Sequence, residues 1–129
     1  MADKTKFIEE LNAKYQPKGE YIVLGKGMLD GEVITEVDVN IPLKTINRHG
    51  LIAGATGTGK TKTLQVFVEQ LSHKGIPTLV MDIKGDLSGI AVEGEQNDKI
   101  NERYAKTKLP YQPQSFPVEL MTISAEKGL

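Results

Sequence analysis

The run Gly54-Ala55-Thr56-Gly57-Thr58-Gly59-Lys60-Thr61 constrains this chain more than any other feature, because it matches GxxxxGK[ST] and lies between an apolar run and a segment of helical periodicity. Glycine at 54, 57 and 59 lets the backbone take positive φ and approach a ligand with no Cβ in the way. Successive amide N–H groups can then converge on phosphate oxygens. A helix opening near Lys60 adds N–H groups that lack intrahelical partners, together with the positive end of its dipole. The pattern predicts a nucleoside triphosphate site built from Gly54, Ala55, Thr56, Gly57, Thr58, Gly59, Lys60, Thr61 and Lys62. Lys60 is expected to reach the β and γ phosphates, and the Thr61 hydroxyl to ligand a magnesium ion bridging them. A random chain of this composition would carry the motif by accident at on the order of 1%.

The flanking segments suit that site. Residues 51–53 are apolar, and Leu64, Phe67, Val68 and Leu71 recur at helical spacing after the loop. Lys74-Gly75 closes that helix, Pro77 forbids its continuation, and residues 78–83 form a mostly apolar run expected of a strand covered on both faces. Strand, loop, helix and strand make a parallel βαβ unit, so the expected fold class is α/β, a partial P-loop NTPase core. Before it, Phe7, Ile8, Leu11 and Tyr15 predict a short amphipathic helix ended by Gln16-Pro17. Residues 21–24 and 33–41 are rich in β-branched types, with Gly25, Gly27 and Asp30-Gly31 as turn signals, and predict a small antiparallel β segment. Two regions follow: 1–47, the helix and β segment, and 48–129, the partial nucleotide domain. Past Gly85 a short helix over 99–108 is expected, then a connector marked by Pro110, Pro113 and Pro117, then a strand over 118–123. No helix follows that strand before Leu129, which reads as an interruption of the domain.

Charge and cysteine content exclude several classes. Sixteen Lys and Arg against 17 Asp and Glu leave no global basic footprint for nucleic acid. The absence of cysteine excludes thiolate metal sites and thiol catalysis. No run approaches the roughly 18 apolar residues that cross a bilayer, and the N-terminus carries no leader pattern, so a soluble cytoplasmic protein is expected.

Asp82 falls near the carboxyl end of the second expected strand, the edge where open α/β sheets bind ligands. It is a candidate to hold magnesium through water, and Asp86 a candidate to orient a nucleophilic water or a substrate group. The plainer alternative is that both shape the following turn. Arg48 and His49 precede the first strand and are candidates for contact with a base or a neighbouring subunit, although such residues are more often solvated. Asp82-Ile83-Lys84-Gly85 spells DxxG, but the spacing from Lys60 leaves no room for a GTPase switch loop and extra strand, and no NKxD-like sequence follows. ATP is therefore expected over GTP. A small-molecule kinase stays open as an alternative.

The segments Asn47-Arg48-His49-Gly50-Leu51-Ile52-Ala53 running into the loop, and Asp82-Ile83-Lys84-Gly85-Asp86-Leu87-Ser88-Gly89, resemble the HerA-like helicase and translocase ATPases, in particular their YjgR-like bacterial subfamily. The likeness covers roughly residues 20–92. It implies the N-terminal portion of a RecA-like ATPase that binds Mg-ATP, assembles as a homo-oligomeric, usually hexameric, ring and moves or unwinds DNA. Members of that family also carry a later apolar strand ending in Asp-Glu and an arginine finger, neither of which this sequence supplies. Binding without efficient turnover is the resulting expectation, with a non-hydrolysing nucleotide-binding or interaction module as the other reading.

Overall fold

The computed structural model describes residues 3–122. Helix α1, Lys4–Tyr15, opens on Asp3, whose carboxylate accepts the amides of Thr5 and Lys6 at 3.0 and 3.3 Å. Strands β1, Tyr21–Leu29, and β2, Glu32–Pro42, then pair antiparallel. Asp30 and Gly31 join them at φ 48° and 83°, both positive as a type I′ turn requires. The register shifts between Val23 and Gly25, and again between Lys26 and Gly27. At the second shift Val37 lies wholly buried, and a Cβ on Gly27 would come within 3.1 Å of its Cγ1. A side chain there would press on Val37 unless Val37 gave way by a few tenths of an ångström.

The core is small: Ile22, Ile34 and Val37 from the hairpin, Leu71 from helix α2, and Ile90 from a short 3₁₀ turn at Ser88–Ala91. Helix α1 covers the hairpin chiefly over β2, whereas α2, Lys60–His73, lies against β1. The Gln70 carboxamide fastens that second contact. Its Oε1 accepts the Val23 amide at 2.7 Å and its Nε2 donates to the Val23 carbonyl. Helix α2 ends in a Schellman arrangement, with Ile76 N–H on the Leu71 carbonyl, Gly75 N–H on that of Ser72, and Gly75 at φ 71°. Helix α3, Asp98–Thr107, is capped by Asn97, and its Tyr104 stacks on Tyr111 with ring centroids 4.5 Å apart.

The expected helices and the antiparallel segment are present, and β1 runs on through Gly25 and Gly27, which mark bulges and not a turn. The parallel pair is different. Residues 51–53 and 78–83 carry no ladder, and among the described residues β1 and β2 pair only with each other. A parallel strand needs neighbours on its edges and layers on its faces; here Leu51, Leu79, Met81 and Ile83 are 85–96% exposed. Residues 118–122 likewise form no strand, and the last residue of that expected strand, Ile123, lies outside the described residues. The architecture is thus a small α/β arrangement of two antiparallel strands and three α-helices. Among the described residues no helix is long and apolar enough to cross a membrane.

Candidate functional site

The loop before α2 closes on one carbonyl. Ala55 O accepts the Thr58 hydroxyl and the Lys60 ammonium, each at 2.8 Å, and the Thr58 amide at 3.4 Å. Gly57 and Gly59 take φ 80° and 94°, which turn the chain back on itself and into the helix. A Cβ on Gly54 would meet the Thr58 hydroxyl at 2.6 Å, so the loop folds this tightly only with glycine there. Gly59 is the N-cap of α2 and offers no side chain, which leaves the first-turn N–H groups uncapped beside the exposed loop. Uncapped amides, the helix dipole and the Lys60 ammonium together give this end of the helix a positive potential. Thr61 and Lys62 follow in that first turn, both exposed.

These residues fit a phosphate chain with magnesium. The fit lies in their donors: backbone amides, one ammonium and one hydroxyl. Among the described residues no group of three His, Asp or Glu forms a protein cage for a metal. Magnesium characteristically takes one or two protein ligands and completes its shell from phosphates and water.

Asp82 stands in a second exposed loop. Its Oδ1 accepts the amides of Lys84 and Gly85 at 3.2 and 2.9 Å, and its Oδ2 that of Leu87 at 2.7 Å. The Leu87 bond above all, helped by those from Lys84, Gly85 and Asp86, holds its carboxyl below the ordinary aspartate value against the opposing effect of desolvation. Asp82 thus organises the turn of residues 82–87, with Gly85 at φ 78° inside it. Asp86 lends that turn its carbonyl, which accepts the Gln65 Nε2 of α2 at 3.1 Å. Arg48 and His49 are exposed, and the Arg48 amide bonds the Thr45 carbonyl.

The structure therefore gathers Gly54, Ala55, Thr58 and Lys60 into one knot, and ties the turn holding Asp82 and Asp86 to the same helix. Sequence reasoning missed Gln65 and Gln70, the two amides that attach α2 to its surroundings. Polar residues between apolar helix positions read as solvent-facing, and only three-dimensional contact reveals the opposite. At the helix's other end Glu69, half-buried, has its carboxyl raised by desolvation, opposed by Lys62 and His73.

Comparison with known proteins follows the same lines. The family model described as Helicase HerA-like C-terminal matches residues 28–129. That description refers to a C-terminal region, where the resemblance by itself implied an N-terminal portion. The probable helicase MJ1565 of Methanocaldococcus jannaschii is 35% identical over 78 residues, 57% of this chain. The DNA double-strand break repair helicase HerA of Saccharolobus solfataricus is 32% identical over 78 residues, 60% of this chain. The matches span 15% and 14% of the lengths of these relatives. No solved structure matches.

Proposed function

Because this chain belongs to the HerA-like helicase C-terminal family, we propose that it supplies the ATP-binding loop of a DNA-translocating motor with a RecA-like core. The observation that carries this reading is the loop itself, in which two positive-φ glycines lead into an uncapped helix N-terminus and the Lys60 ammonium folds back onto the Ala55 carbonyl. When ATP binds, Lys60 exchanges the Ala55 carbonyl for the β and γ phosphate oxygens, a stronger partner because both charges contribute. Backbone amides of residues 54–60 hold the phosphates, and Lys62 adds a cation beside them. The Thr61 hydroxyl would hold magnesium, which would supply charge neutralisation at the phosphates.

Turnover by this chain alone is slow in this reading. Hydrolysis needs a carboxylate that orients water, and Asp82 directs both oxygens to its own turn. Action on DNA is part of this reading, in keeping with the DNA double-strand break repair helicase among the similar proteins, and assembly as a ring is proposed with it.

The test is calorimetric titration of the 129-residue chain with Mg-ATP. Binding is expected, and Lys60→Ala should weaken it about a hundredfold, the effect of losing a hydrogen bond to a charged group. An unchanged affinity in that variant would remove the basis of the proposal, as would absence of uptake by the folded wild type.

A further inference from the structure

The Ala55 carbonyl takes two donors at short range, the Thr58 hydroxyl and the Lys60 ammonium, each at 2.8 Å. A carbonyl oxygen offers two lone pairs, so these donors fill it. The Thr58 amide, which would ordinarily close a turn of this length, stands at 3.4 Å, beyond the about 3.2 Å of a well-formed N–H···O bond. The side chain has taken over the bond of its own backbone. Thr58 Oγ1 also fills the space beside Gly54, where an added Cβ would meet it at 2.6 Å. The hydroxyl thus braces the loop across its width, from residue 58 back to residues 54 and 55.

We propose that Thr58 is a positioning residue, whose hydroxyl holds the Ala55 carbonyl so that the Lys60 ammonium and the Thr58 amide are both released to the phosphates of a nucleotide. The inference rests on the nucleotide reading above. When Lys60 leaves Ala55 for the phosphates, the carbonyl loses one of its donors just as the ligand shields it from water, and it must keep a partner. With the hydroxyl in place, the Thr58 amide is not drawn in. Without it, that amide shortens onto Ala55, closes an ordinary turn and leaves one fewer N–H for the anion. The hydroxyl proton is committed to the carbonyl, so Thr58 Oγ1 acts through these two groups and not through a bond to phosphate.

The experiment is calorimetric titration of the full chain with Mg-ATP in wild type, Thr58→Val, Thr58→Ser and Lys60→Ala, together with the urea midpoint of each. Valine keeps the β-branched shape and lacks the hydroxyl. It should weaken binding about fivefold, the factor set by one hydrogen bond of about 1 kcal/mol, with an unchanged midpoint because Thr58 lies in an exposed loop. Serine returns the hydroxyl and should recover most of that loss. Unchanged affinity in Thr58→Val overturns the inference. So does a serine variant as weak as the valine one, or a loss of affinity that follows a lowered midpoint, since either would assign the effect to shape or to a loosened fold. If Lys60→Ala weakens binding while Thr58→Val does not, the nucleotide reading stands and this inference falls. Absence of uptake by the folded wild type strikes the nucleotide reading and the inference with it.

Discussion

Asp82 shows how a single carboxylate can serve architecture where its position in the chain suggests chemistry. Three amides converge on its two oxygens, and each bond favours the ionised form. Its folded pKa therefore lies below the ordinary 3.8. The stabilisation that it gives the turn is fully present above that ordinary value, and is lost as the pH falls through the lower, folded one. Amide exchange at Lys84, Gly85 and Leu87, corrected for intrinsic rates, should stay protected down to the usual aspartate range and lose protection only below it. In Asp82→Asn the same amides should exchange faster at neutral pH with no acid transition, and persistence of the transition in that variant would assign it to another group.

Helix α2 shows which parts of an element can be read from sequence. Its start at Lys60, its apolar stripe through Leu71 and its glycine stop follow from local rules of periodicity and capping. The loop before it is equally legible, since the need for glycine at 57 and 59 is a property of the backbone alone. The hairpin's two-residue turn is legible for the same reason, whereas the extension of β1 through Gly25 and Gly27 is not, because Gly27 answers to Val37 across the sheet. Gln70 is the least legible residue of all: its partners lie 47 positions away. Replacing it with methionine keeps the bulk but leaves a part-buried amide and carbonyl of Val23 without partners. That should destabilise the fold by about 1–3 kcal/mol, read as a lower urea midpoint with unchanged slope. A midpoint matching wild type would mean that water replaces the carboxamide without loss.

At the scale of the whole molecule, the balance of apolar surface is unusual. Leu51, Leu79, Met81 and Ile83 stand out from two segments without a ladder on either side of α2, while five apolar residues make up the buried core of the described chain. Uncovered apolar side chains on unpaired backbone favour association. Sedimentation over a range of micromolar concentrations should reveal concentration-dependent self-association. A triple variant, Leu79→Ser, Met81→Lys and Ile83→Ser, should abolish it without changing the circular dichroism. Identical sedimentation of the two proteins would show that these side chains do not drive contact. The outer border of β1 behaves differently, for at Val23 the Gln70 carboxamide imitates an adjoining peptide unit, occupying both hydrogen-bonding positions that an incoming chain would require. Sheet widening at that border and attachment of the phosphate-loop helix are therefore mutually exclusive: anything that annexed a third strand there would first have to unfasten α2.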